Sequence, residues 1–366
     1  MITVSDAARA VIDAGTMTYQ VTATAWLSDI LLADDIPVAE ATEESDRSLN
    51  VPERVTLTIP RRDDAGNDWT PTSADSPLAA NGQTLKITLG VGVGRGVAEW
   101  FQRGEFLISS SKVSDDGLSI AVTCVGLLYL VQEAGFVAPF QPSGTIAGTF
   151  RALISPALEA DLNDAPTDRA VPAGITWDDR IGALYSLLDA WPGVLRMNEG
   201  GWVEVHPDTT PTVAVRSFTD GAGGTVVAVS GGSTRDGAFN VVVATGQAAD
   251  GTEVRGLAWV DVGAWSYLDG VANPLPVPFG YASPLITTQT QAAAAAATVL
   301  RRKMRQAVLR RFTITAAPDP TLQTGDPVAV STADGQLAGV LCTVEHLTLP
   351  YTPGPMTVDV VTVSGE

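Results

Sequence analysis

Basic residues, cysteine, histidine and aromatics are all scarce in this sequence, and each scarcity removes a class of function. Lys and Arg number 22 against 41 Asp and Glu, a formal charge of −19. A surface of that sign repels phosphate backbones, which excludes ordinary nucleic-acid binding. It favours a neutral or basic partner, or a channel that polyanions pass without adhering. The only cysteines, Cys124 and Cys342, lie in strand-like runs and predict two buried free thiols, not a disulfide framework. With only His206 and His346 available, serine or cysteine hydrolysis lacks a base in a recognisable setting. A zinc site would need both histidines plus carboxylates without motif spacing, so neither a metal nor a cofactor is expected. No uncharged apolar run approaches the length of a membrane span. The opening MITVSDAARAVIDAG has no basic flank followed by a long apolar core, which predicts no signal peptide and folding in the cytoplasm.

What is abundant is glycine (35) and proline (23) in a chain of 366 residues that is 45% hydrophobic and 17% charged. That is globular composition with many short strands and tight turns, and the length calls for two to three domains. Val4, Ala7, Ala8, Val11 and Ile12 are helically spaced between an N-cap at Ser5 and a stop at Gly15. From Met17 the period becomes two: Tyr19, Val21, Ala23 and Ala25 alternate with threonine and glutamine. Residues 55–59, 85–93, 104–113 and 118–127 repeat that pattern, the last two joined at Asp115-Asp116-Gly117. A first β-barrel domain over 1–136 follows from these strands.

Residues 137–211 read as an α+β insertion. Helices are predicted at 145–158 and 177–190, with Asp178 and Asp179 in a first turn, and a hairpin at 194–207. Residues 212–366 read as a second β-barrel domain, with strands at 225–229, 239–244, 312–317, 327–332, 338–346 and 356–363. It carries a proline-rich, aromatic excursion over 252–285 and a helix over 289–310, roughly 33 Å long. Ala293, Ala296, Ala297, Leu300, Met304, Ala307 and Val308 share one face of that helix, with Arg301, Arg302 and Arg305 opposite.

Motifs with catalytic potential fall short. Gly90-Val-Gly-Val-Gly-Arg-Gly96 places Arg95 where the dinucleotide loop needs glycine, and a strand surrounds it; a glycine-bearing strand at a close approach accounts for it. Gly231-Gly-Ser233-Thr-Arg235 misses the serine elbow at Arg235. Carboxylate pairs such as Asp63/Asp64 and Asp178/Asp179 sit in turns and helix starts, without the fixed separation a polysaccharide hydrolase requires. A cell-wall or polysaccharide hydrolase stays as one alternative, and Trp259, Trp265 and Tyr267 leave a carbohydrate-binding adhesin as another.

Two charge clusters remain. Asp29, Asp34, Asp35, Glu40, Glu43, Glu44 and Asp46 fall in a stretch without a basic residue, read as an acidic loop. The plain account is a solvated loop; the sharper one is the wall of a channel through which DNA slides. Conversely, residues 301–311 hold six of the 22 basic residues. Arg301, Arg302 and Arg305 offer either a solvated helix face or an interface with an acidic surface on an adjacent copy.

With these residues in view, the chain resembles the hub proteins of bacteriophage tail tips and contractile injection machines. EWFQRGEFLISSSKVSDDGLSIAVTCVGLLYLVQEAGF (99–136) is similar to the end of the first hub barrel. TWDDRIGALYSLLDAWPGVLRMNEGGWVEVHP (176–207) resembles the helical insertion. NVVVATG (240–246), SPLITTQTQAAAAAATVLRR (283–302) and PDPTLQTGDPVAV (318–330) resemble the second barrel. The acidic N-terminal stretch and the absence of a hydrolase module depart from that pattern. The resemblance implies a mainly β, non-enzymatic virion protein of the tail tip. Two barrel-like domains per chain would give a homotrimer pseudo-sixfold symmetry. Its implied partners are the distal tail protein ring, the tape-measure protein and tip or fibre proteins, with DNA passing through unbound.

Overall fold

Alternation of alanine with threonine builds the first strand: Ala23 and Ala25 are fully buried while Thr22 and Thr24 keep partial exposure. The computed structural model describes residues 1–94, 96–221, 223–232, 239–261, 266–267, 275–307 and 310–363; the side chains at 19 and 302–307 fall outside that description. Helix α1 (Asp6–Asp13) is capped by Ser5, whose hydroxyl accepts from the Ala8 amide, and buries Ala8 and Ile12. The first run of strands is β1 (Tyr19–Leu27), β2 (Ile30–Pro37), β3 (Glu40–Asp46), β4 (Glu53–Pro60), β5 (Gln83–Gly94), β6 (Val97–Val113) and β7 (Ser119–Gly126). A helical unit follows: α2 (Leu128–Glu133), α3 (Ile146–Ile154), β8 (Ala160–Asp161), α4 (Arg180–Ala190), β9 (Gly193–Met197) and β10 (Val203–Pro207). Then come β11 (Arg216–Thr219) and β12 (Val226–Gly232), and a smaller unit of β13 (Val241–Gln247), β14 (Glu253–Trp259), β15 (Pro278–Ala282) and α5 (Gln289–Ala307). Strands β16 (Arg311–Ala316), β17 (Pro327–Ser331), β18 (Val340–Pro350) and β19 (Met356–Thr362) close the chain.

The protein is mainly β, as the alternation predicts. Among the described strands, however, no sheet closes, so the two barrels expected from the sequence are not seen. A single sheet of 13 strands instead runs in the order β12-β16-β19-β18-β3-β4-β7-β6-β5-β1-β2, with β17 on β18 and β11 on β17. Early and late strands meet where β3 pairs antiparallel with β18, from Asp46↔His346 to Thr42↔Pro350. Ile87, Leu57 and Val122 from the early strands share one apolar core with Phe218, Ile314, Val344 and Val358 from the late ones.

The stretch read as an acidic loop is two strands. Its seven acids hide the period of two, but Ala41, Glu43 and Ser45 face inward on β3 while Glu44 faces out. Backbone pairing with β4 on one side and β18 on the other fixes it. Both predicted helices of the insertion form but are shorter, the first ending at Ile154 and the second starting at Arg180, so that Asp179 is its N-cap, accepting from the Gly182 amide, and not a first-turn residue. They enclose a separate core in which Trp191 meets Phe150 edge-on at 6.2 Å.

The excursion over 252–285 contains β14 and β15, which flank β13 and form the platform on which α5 lies. The face α5 buries is Ala292, Ala295, Ala296 and Val299, which shares Ala296 with the expected face and has Leu300 packed beside it, whereas Ala293 is exposed. A run of six alanines offers the helix several equivalent apolar faces, and the platform selects among them. Contact is backbone to backbone: a Cβ on Gly256 would lie 2.1 Å from the Ala292 carbonyl carbon. Gly256→Ala is therefore expected to lower stability by about 1–3 kcal/mol through overpacking. Gly280→Ala, which meets nothing within 4 Å, serves as the neutral reference. Urea denaturation showing equal stability for both variants would contradict this seat for α5.

Candidate functional site

The ionisable side chains that the fold conceals gather at the junction of the early strands, the late strands and the helical unit. Glu43 on β3 and Arg103 on β6 are 3% and 5% exposed. Arg103 grips Glu43 with two parallel bonds, Nε to Oε2 at 2.6 Å and Nη2 to Oε1 at 2.8 Å, and its Nη1 donates to the Pro320 carbonyl at 3.3 Å. The hydroxyl of the fully buried Tyr351, just beyond β18, donates to Glu43 Oε2. Burial, and then the Glu43 charge, hold that phenol well above its ordinary range, so it stays a donor. Burial works against the Arg103 charge, but Glu43 and Tyr351 beside it more than offset this and raise its pKa.

A second knot lies nearby in the loop between β16 and β17. Asp319, fully buried, accepts from the Thr321 amide at 3.0 Å and faces Arg9 of α1 and Arg216 of β11, each at 3.2 Å. Arg216 also meets Asp13. Asp326, in the Gly325-Asp326 turn, pairs with Arg196 of β9 at 3.3 Å. Gln102 on β6 donates to the Glu199 carbonyl, and Tyr185 on α4 donates to the Asn50 carbonyl at 2.8 Å. These contacts hold the helical unit against the sheet.

The acids singled out in the sequence are dispersed. Asp29 lies in the β1–β2 turn and Asp34 and Asp35 on the edge strand β2, all exposed. Glu40 and Glu44 are exposed on β3, and Asp46 is half-buried opposite His346. Glu43 is the correction: a carboxylate enclosed with Arg103 and Tyr351 cannot line a channel. Arg301 is exposed on α5, its Nη2 3.3 Å from the Thr298 hydroxyl. The side chains of Arg302, Arg305, Met304 and Ala307 lie outside the described residues, as do Val308, Arg95, Trp265 and the segment from Ser233 to Arg235.

The remaining candidates have structural surroundings. Gly90 sits under the Trp100 indole, where a Cβ would come within 3.0 Å. His206 contacts Glu204 at 3.0 Å and His346 contacts Asp359 at 3.3 Å. Cys124 and Cys342 are buried and free. Trp259 is 43% exposed on β14, whereas Tyr267 is half-buried. Among the described residues no group of three or more His, Cys, Asp or Glu side chains could hold a metal ion, and no helix is long and apolar enough to cross a membrane. Sequence reasoning missed Glu53, Arg103, Asp319 and Tyr351. A charged residue on the inward side of a strand, as at Glu43, was the one signal available.

The arrangement joins the early strands, the late strands and the helical unit, and among the described residues no nucleophile and base are assembled in it. No protein-family model matches the sequence, and no curated protein matches it. Solved structures do match, over nearly the whole chain, and they define the class of fold: that of phage and prophage tail proteins. A tail protein from Neisseria meningitidis MC58 aligns at a TM-score of 0.67 with 11% identity, covering 93% of this chain and 96% of that one. The 43 kDa tail protein of prophage MuSo2 from Shewanella oneidensis aligns at 0.60 with 11% identity, covering 93% and 98%. The prophage tail protein gp18 from Listeria monocytogenes aligns at 0.58 with 10% identity, covering 93% and 94%.

The Glu43–Arg103 pair is enclosed, so deleting one member strands the other charge. Arg103→Met is expected to cost about 3–5 kcal/mol, and Glu43→Met with Arg103→Met to recover most of it. Urea unfolding of the three proteins checks this; a double variant as unstable as the single would show that the pair is not the unit.

Proposed function

We propose that this protein is a structural, non-enzymatic component of a phage-type tail or baseplate, acting as the hub at its tip. The observation that carries the reading is the correspondence of fold over 93% of the chain, which takes in the large sheet, the helical unit and the small α/β unit. Sequence charge supports it, because a strongly acidic surface lets DNA pass without adhering. In this reading three chains form a ring that adapts the sixfold tube to a threefold tip. The ring holds the end of the tape-measure protein, meets the distal tail ring and carries tip or fibre proteins. The exposed acids Asp29, Asp34, Asp35, Glu40 and Glu44 are then placed toward the passage.

The two ends of the large sheet support assembly through one edge more than the other. Strand β2 has two register irregularities against β1, a positive φ at Asp35 and a pair of exposed acids, which are devices that discourage strand addition. Strand β12 has no charge and no proline, and Val227 on it is 72% exposed. A closed ring requires heterologous contacts of this asymmetric kind.

Sedimentation velocity and negative-stain imaging test the proposal: a mass three times that of the chain and a threefold ring with a central hole are expected. A monomer at every concentration, or peptidoglycan lysis abolished by a single carboxylate substitution, would overturn it. Arg301→Glu with Arg305→Glu is expected to weaken the oligomer and leave the monomer folded; an unchanged oligomer mass would remove that helix from the interface.

A further inference from the structure

Between the large sheet and the helical unit lies a partly open cavity, and in its wall is a carboxyl oxygen without a partner. It belongs to Glu53, the first residue of β4, whose Oε2 is shut off from solvent and makes no hydrogen bond. The residue keeps some exposed surface elsewhere. The cavity measures about 90 Å3 and is walled by β3, β6 and β9 and by the turn before β4. Gly126 makes room for the carboxyl: a Cβ there would lie 2.3 Å from Oε2.

The other charged groups around this space already have partners. Arg103 and Glu43 bind each other, and Tyr351 closes on Glu43 from behind. Arg47 pairs with Glu345 at 3.3 Å, Arg196 on β9 with Asp326 at 3.3 Å, and Glu105 on β6 takes the Thr84 hydroxyl at 2.6 Å and lies 3.5 Å from Lys86. Tyr185 on α4 is bonded to the Asn50 carbonyl. A cation is a poor occupant beside three arginines. A proton on Glu53 requires no room and removes the unsolvated charge.

We propose that this cavity is a proton-binding site at the joint between the large sheet and the helical unit: with Glu53 neutral the unit stays docked, and with Glu53 ionised the joint loosens and admits water. Burial, and then the neighbouring Glu43 charge, push the Glu53 carboxyl from 4.5 up to about 7. Because the folded value is the higher one, the stabilisation is full below about pH 4.5 and is lost as pH rises through 7. The upper bound on that loss, from the distance between the two values, is about 300-fold in the docking and folding equilibrium. The inference does not depend on the tail reading.

The test compares the full chain with Glu53→Gln, which fixes the neutral form, and with Glu44→Gln as an exposed control, between pH 5 and 8.5. Urea midpoints and hydrogen exchange over 193–205, corrected for intrinsic rates, are the readouts. The wild-type protein and the Glu44→Gln control should lose stability, and protection at the joint, progressively from pH 5 to about 7 and level off above that. Glu53→Gln should hold both constant and be the more stable protein at pH 8.5. Neither histidine lines the cavity, and the difference between wild type and Glu53→Gln isolates the contribution of this one carboxyl. Identical pH profiles for wild type and Glu53→Gln would overturn the proposal. If Glu53→Gln fails to fold, the wild-type exchange decides: no pH dependence at 193–205 would overturn it equally.

Discussion

Pairing between β3 and β18 is the constraint on which the rest of the structure depends. One edge of β18 serves two strands in succession, β17 at its start and β3 at its end, while β19 occupies the other edge. This makes a single sheet from strands separated by some 300 residues of sequence. A one-residue slip would turn Glu43 toward solvent and Glu44 into the core. The buried Arg103–Glu43–Tyr351 group penalises such a slip. An enclosed ion pair contributes modestly to net stability, but an unmatched charge in the same place is costly. The polar group therefore specifies register, and apolar burial supplies the bulk of the driving force.

The two α/β units differ in their contacts. The helical unit has a core of its own, with Phe150, Leu184, Leu187 and Trp191, and meets the sheet through polar contacts and a small cavity. Its attachment is thus sensitive to charge, through Arg196–Asp326 and Glu53. The smaller unit is tightened within itself by close backbone approach, Gly256 against Ala292 of α5 and Gly246 against Ile286 just before that helix. A contact of that kind responds to volume and hardly to pH.

The concealed acids and bases are few and specific in a chain that is otherwise acidic on its surface. Burial separates the roles of neighbouring carboxylates: Glu43 is neutralised by Arg103, Glu44 one residue later faces water, and Glu53 across the strand pair has one carboxyl oxygen left with neither partner nor solvent. Composition treats these three residues as equal. Only the direction each one faces distinguishes them.

The period-two strands, the first helix with its cap at Ser5, the two helices of the insertion, the hairpin over 194–207, the two buried thiols and the mainly β class were legible in the sequence. They depend on contacts between residues near one another in the chain, and local patterning records those. The strand nature of 30–46 was not legible, because acids occupy both faces and its order comes from neighbours on either side. Nor was the seat of α5, where six alanines leave the face to be chosen by the platform, nor the open single sheet in place of two barrels. The buried junction was legible least of all: Glu43, Glu53, Arg103, Asp319 and Tyr351 lie far apart in sequence. Local pattern determined the elements; long-range pairing decided which edges met, and so which charges were left without water.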